Sequence, residues 1–347
     1  MTSTELIRNV SEVLKAKVAY PAFSFFFRIH SGSEKQLHDA GHIRNRVHQV
    51  LKESNLSSTT LEAIKTRADQ LIDQLNFEIG ALSVGLFVSV TESYLSHYFV
   101  NLPERDFVGD YFSGYETMYA EQESAPYLLI LLEPAVLRIF QGRAEHLVAV
   151  PDSEATKHLL SVYRRRLPAP ADKDGKVKKG HNHDAHWKQE LLEAIASVCC
   201  SEQMPAYFAG LCLADLNETE LTSHGVEVLA ALDESYQFTG AETLKTLSQD
   251  LRFQHHAKKS KLLHERCKVA KGNQKLASGA DEVLACAKEG RGEVLILPYP
   301  KRELTGTLKL DAMQETIRAV NLTHGSIEFL PADLMDEYDD AAMILRY

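Results

Sequence analysis

Three histidines crowd the run Lys178-Lys179-Gly180-His181-Asn182-His183-Asp184-Ala185-His186-Trp187. Imidazole is the commonest metal ligand, and the H-x-H-x-x-H spacing of His181, His183 and His186 would let neighbouring rings chelate. A metal hydrolase of the form H-x-H-x-D-H places its acid directly before the third histidine. Here Asp184 instead follows the second histidine directly, and no further His or Asp cluster stands at a supporting distance downstream. RNA contact is a different chemistry for the same run. Lys178 and Lys179 would meet phosphates, while Asn182, the imidazoles and Trp187 would meet unpaired bases. A third reading makes the loop solvated, with Trp187, the chain's only tryptophan, packed as core.

The loop belongs to a basic island. Residues 161–188 hold eight Lys/Arg and three acids, net +5, including Arg164, Arg165 and Arg166. A second island, residues 252–275, holds eight Lys/Arg and one acid, net +7, including Lys258, Lys259 and Lys261. The whole chain has a formal charge of −10, so the remainder carries −22. Two cationic islands on an acidic body suit local RNA contact without general adhesion; solvated lysine-rich surfaces are the plainer alternative. There is no Walker A loop, no G-x-G-x-x-G after a strand, no G-x-S-x-G and no H-E-x-x-H. The acids Asp333, Asp336, Glu337, Asp339 and Asp340 lack the spacing and glycine of an EF-hand, so they read as a solvated turn. No catalytic residue, metal or cofactor is expected.

The 347 residues are enough for two or three domains. No run of 18 apolar residues suggests a membrane span. The start lacks the apolar segment of a signal peptide; Leu6, Val10, Val13 and Leu14 stand at helical spacing instead. The five cysteines form no C-x-x-C pair and read as reduced, buried small side chains of a cytoplasmic protein.

Periodicity divides the chain into three α/β segments. In 1–122, a strand at 22–29 precedes helices at 34–53 and from about Thr59, where Thr59 and Glu62 have capping-box spacing. A buried strand follows at 81–90. In 123–275, strands at 127–132, 135–140 and 146–150 read as an antiparallel meander, with Gly142 at a turn. A polar stretch at about 167–186, with its most flexible part at 168–175, leads to a helix at 187–200. A strand at 206–213 and further helix end in the second island. In 276–347, helices near 279–289 and 310–321 alternate with strands at 293–298 and 327–330, and the chain closes on the apolar run 341–345.

Several runs carry a resemblance. Ala287-Lys288-Glu289-Gly290-Arg291-Gly292-Glu293-Val294-Leu295-Ile296 is similar to the "small-x-x-Gly-Arg-x-Glu-x-Leu" start of the last domain in bacterial members of the archaeo-eukaryotic release factor superfamily, its Pelota- and Balon-like branch. Thr323-His324-Gly325-Ser326-Ile327 resembles the family's "Gly-Gly-x-Val" strand, with Ser326 in place of the second glycine. Ala341-Ala342-Met343-Ile344-Leu345-Arg346-Tyr347 resembles its closing "Ala-Ala-Ile-Leu-Arg-Tyr". Upstream, Gly85-Leu86-Phe87-Val88, Pro126–Leu132 with Val136–Phe140, and Pro205–Gly210 follow the family's order.

The resemblance covers about 80–347 and implies three domains. These would be an N-terminal α/β domain (1–122), a ribonuclease-H-like middle domain (123–275) and a C-terminal α/β/α domain (276–347) resembling kink-turn-binding ribosomal proteins. It implies a ribosome-binding translation factor whose partner is rRNA, with EF-Tu as a candidate delivery partner and neither membrane nor DNA involved. The family's Gly-Gly-Gln, which helps water attack peptidyl-tRNA, occurs nowhere in the chain. Hibernation or rescue at the ribosomal A site, as part of a stress response, is therefore expected instead of peptide release. The histidine loop as a metal-dependent hydrolase or nuclease is the rival expectation.

Overall fold

The structure, a computed structural model, describes residues 20–30, 33–77, 79–133, 136–165, 184–210, 216–233, 240–300 and 310–347. The chain forms two compact units, Met1–Ser124 with Ser260–Tyr347, and Ala125–Lys259.

In the first unit, β1 (Ala22–Arg28) is mostly apolar and buried up to its exposed last residue, Arg28, because both its faces are covered. Phe23, Phe25 and Phe27 point one way, against Ile43, Val47 and Leu51 of α1 (Ser33–Glu53) and Ile64, Ala68 and Leu71 of α2 (Ser58–Ile72). Phe26, of opposite parity, meets Phe87, Tyr98 and Phe112. Strands β2 (Ser83–Val88), β3 (Ser93–Tyr98) and β4 (Arg105–Gly109) complete an antiparallel sheet of order β3-β2-β1-β4. The cap of α2 is Ser57, not Thr59: Ser57 is extended, and its side chain accepts the Thr60 N–H at 3.3 Å. Thr59 already lies inside the helix.

Helix α3 (Tyr115–Glu123) joins this sheet to the C-terminal one in the same unit. Tyr115 donates its hydroxyl to Pro298 O at 2.8 Å, Gln314 accepts the Gly114 N–H at 2.7 Å, and Gln122 donates to Ile327 O at 2.6 Å.

In the second unit, β5 (Pro126–Glu133), β6 (Val136–Arg143) and β7 (His146–Ala149) form the expected antiparallel meander. Strands β8 (Ala206–Ala209) and β9 (Val228–Leu232) extend it in parallel, giving the order β7-β6-β5-β8-β9. Gly142 is inside β6, and Ala144, with φ at 49°, takes the turn. The Tyr127 ring occupies the space a Cβ at Gly142 would need, so this glycine serves packing instead of a turn. Leu128, Ile130 and Leu132 face α4 (Glu154–Arg164), α5 (Asp184–Glu202) and α6 (Glu218–Ser223). Tyr127, Leu129 and Leu131 face Leu247 and Leu251 of the long helix α7 (Ala241–Gly272).

Downstream, α7 contributes Leu263, Cys267 and Ala270 to the first unit. There β10 (Leu276–Ser278), β11 (Gly292–Pro298), β12 (Ser326–Leu330) and β13 (Ala342–Leu345) form a sheet of order β10-β13-β11-β12. Val294 and Ile296 meet α7, while Leu295 and Leu297 meet α8 (Ala280–Lys288) and α9 (Leu310–Leu322). The acid run closes this unit as α10 (Ala332–Met335) and a short 3-10 turn (Asp336–Tyr338). No helix among the described residues is long and apolar enough to cross a membrane.

Candidate nucleic-acid interface

The base of the histidine loop is built from two helix ends. Helix α4 starts at Ser153, whose side chain accepts the Thr156 N–H at 3.1 Å while Thr156 Oγ1 accepts the Ser153 N–H at 2.7 Å. Tyr163 ties its last turn to Glu133 O at 2.6 Å. The Trp187 indole, in the first turn of α5, donates to Val162 O at 3.0 Å and packs half-buried on the core. Arg165 pairs with Glu190 at 3.1 Å. The chain therefore leaves α4 and re-enters α5 at a clamped point.

Trp187 packs half-buried between α4 and α5, as the reading that makes it core expects. His186 is exposed on the first turn of α5, not in a polar loop. Arg164 is also exposed at the end of α4. Arg166, Lys178, Lys179, His181, Asn182 and His183 lie outside the described residues. Among the described residues no group of three His, Cys, Asp or Glu side chains is placed to hold a metal ion.

The first island spends part of its charge internally. Lys188 meets Glu220 at 2.7 Å. That bond, then the backbone N–H of Asn217, holds the Glu220 carboxyl below its ordinary range. The second island lies on α7. Lys258 pairs with Glu218 at 2.6 Å, Arg266 with Glu293 at 3.4 Å and Lys268 with Glu265 at 3.1 Å. Lys261 and Lys271 are exposed, and Lys259 is half-buried. Exposed pairs of this kind contribute about 0–1 kcal/mol each, so a polyanion can displace the carboxylates at little cost. Lys275 is engaged with Arg346 O at 3.1 Å.

The C-terminal motifs prove to be one structural clamp. Gly290 takes the left-handed conformation that ends α8, with φ at 72°. Arg346 donates to Gly290 O at 3.2 Å and to Thr323 O at 2.7 Å, and its N–H meets Arg291 O at 3.0 Å. The three runs thus meet around one arginine.

One polar cluster went unmarked in the sequence reading. His30, His42, Arg46 and Arg105 share a cleft of about 670 Å³ with Arg28, Glu104 and Asp106. Its available signal was the density of His and Arg along α1, with His38, His42 and Arg46 four residues apart.

No family model matches the chain, and no curated protein matches it. Solved structures do. The archaeal translation termination factor aRF1 is 13% identical, with 97% of this chain and 96% of that one covered at a TM-score of 0.26. An archaeal Pelota, from a ribosome-bound assembly with ABCE1, is 12% identical over 75% and 73%, at 0.43. Dom34 of S. cerevisiae, a translation termination-like factor interacting with Hbs1, is 11% identical over 79% and 82%, at 0.45.

Proposed function

We propose that this chain is a ribosome-binding translation factor without peptide-release activity, acting in hibernation or rescue at the ribosomal A site. The observation that carries the reading is the second basic island: most of it lies on a single long helix that exposes Lys258, Lys261, Arg266, Lys268 and Lys271, three of them paired with exposed carboxylates. Such a surface suits rRNA phosphates. The motif resemblance points the interaction toward the ribosome. The order β7-β6-β5-β8-β9, a meander extended by two parallel strands, supports a ribonuclease-H-like middle domain. The α7/sheet/α8–α9 layering supports a C-terminal domain of the ribosomal-protein type. A cytoplasmic location and delivery by EF-Tu belong to the same proposal.

Co-sedimentation with ribosomes from stationary or cold-stressed cells tests it. The protein is expected in the ribosomal pellet, and its persistence in the supernatant under every growth condition would overturn the reading. Ribosome-bound peptidyl-tRNA should stay intact in its presence, since no Gly-Gly-Gln exists to assist water. Stop-codon-dependent release above background would contradict that part.

A further inference from the structure

The cleft beside β1 has the makings of a small-molecule site. It is lined by Phe27 and Arg28 from the end of β1, His30 just beyond it, His42 and Arg46 from α1, and Pro103 to Asp106 leading into β4. Its volume of about 670 Å³ falls within the roughly 300–1,000 Å³ usual for ligand pockets.

Two of its three arginines are already paired with carboxylates. Arg46 pairs with Asp106, His42 lies 3.9 Å from Glu104, and Arg105 pairs with the fully buried Glu116 at 2.6 Å. Buried Asp39 accepts the His30 N–H at 2.8 Å and sits 3.2 Å from its Nδ1, which fixes that ring and leaves Nε2 on its outer edge. Arg28 differs. Its Nε donates to Leu102 O at 3.2 Å, and no carboxylate among the described residues balances it. The bond steadies a guanidinium whose two Nη groups make no hydrogen bond among the described residues, the fork that suits a phosphate.

A matching ligand therefore carries one anionic group for Arg28 and neutral donors for the acceptors Glu104 and Asp106. We propose that the cleft binds a free mononucleotide, its phosphate on Arg28 and its ribose hydroxyls or exocyclic amine on the two carboxylates. Two observations favour a single nucleotide over a strand. Phe27 is only 2% exposed, so only the imidazoles of His30 and His42 present ring faces in the described lining, too few for a run of stacked bases. Glu104 and Asp106 would also repel further phosphates. A free amino acid would meet the same polar pattern but leave most of the volume empty.

Calorimetric titration of the full-length protein tests the proposal, with 5′-mononucleotides, the matching nucleosides, inorganic phosphate and a short oligoribonucleotide as probes. A mononucleotide should bind one per chain, with the nucleoside and inorganic phosphate each weaker by at least about tenfold, since each satisfies half the site. Arg28→Gln should weaken binding by about tenfold or more, and Arg28→Lys should not restore it, because a point charge lacks the fork. Should the Arg28 variants unfold, Glu104→Gln decides, since it sits at the surface. It should weaken the mononucleotide and leave inorganic phosphate unchanged. The proposal is overturned if no mononucleotide binds, or if folded variants bind like the parent. It is also overturned if inorganic phosphate binds as tightly as the nucleotide, or if the oligoribonucleotide binds more tightly and so claims the cleft for a strand.

Discussion

Among the described residues Cys200 is exposed, while Cys199, Cys267 and Cys286 are buried, so the sequence expectation of buried cysteines fails at one of these four positions; Cys212 lies outside the described residues. The reason is helical: Cys199 faces the core with Ile195 and Val198, and its neighbour turns to solvent. Burial pushes the Cys199 thiol up to about 12 and the Cys267 thiol up to about 11, which starves both of thiolate. Alkylation at mildly alkaline pH, read peptide by peptide in a mass spectrometer, should modify Cys200 at least about tenfold faster than either. Comparable rates would contradict the packing around α5. Arg105 offers a stability test, because its partner Glu116 is fully buried and also accepts from Ser113 at 2.8 Å. Arg105→Ala strands that carboxylate, and urea denaturation should show a loss of about 3–5 kcal/mol. A loss under about 1 kcal/mol would mean that Glu116 finds another partner or a proton. Glu220 tests the electrostatics beside the loop. Its carboxyl is held down by Lys188 first, so the bond's contribution is present above the ordinary carboxylate range and vanishes as pH falls through the lowered value. Carboxyl NMR should find Glu220 titrating below typical glutamates, and Lys188→Ala should raise its midpoint. An unmoved midpoint would leave the Asn217 N–H, together with His224, as the cause.

At the level of elements, legibility followed burial. Strands β1, β2, β5, β11 and β13 are near-continuous apolar runs because helices or other layers cover both faces, and each stands where the sequence places it. Strand β3, Ser93-Tyr-Leu-Ser-His-Tyr, is a half-exposed edge and carries no such run. Helix α4 escaped for a different reason: its cap is closed by Thr156, whereas the sequence signature seeks Glu or Gln there. The basic islands were legible as composition, but not the ion pairs they make, since Glu218 and Glu220 come from a separate short helix. Periodicity located strands β11 and β12, whereas the part Arg346 plays as a clamp on two turns depends on contacts far apart in the chain. Strand β13 carries the sharpest element-level test. It lies between β10 and β11, with Met343 opposite Leu295 and also opposite Ala277. Removing residues 342–347 would open two inner strand edges to solvent. The truncated protein should be insoluble, and a soluble product with an unchanged melting temperature would contradict β13's place in the core.

For the molecule as a whole, the charge distribution makes ribosome affinity a question of salt. Outside the islands the chain carries −22, so rRNA should repel most of the surface, and attraction must come from the +5 and +7 segments. Each phosphate contact releases counterions, which steepens the log–log salt dependence by roughly 0.7–0.9 per contact. Replacing Lys258, Lys259 and Lys261 by Ala should therefore lower affinity and flatten the slope together, by roughly one unit per true contact. The pair from Lys258 to Glu218 does not rescue the parent's surface from this test, because both partners are about half exposed and separate at little cost. Replacing Lys178 and Lys179 should act in the same direction, with the smaller net charge of their island giving a smaller effect. Exchanging His181 and His183 for Ala distinguishes the rival chemistries. Weaker ribosome binding by a folded variant supports RNA contact, while loss of bound zinc with ribosome affinity intact supports the hydrolase reading. If all these variants sediment with ribosomes like the parent and share its salt slope, the islands are solvated surface, and the helix on which the functional reading rests has no part in it.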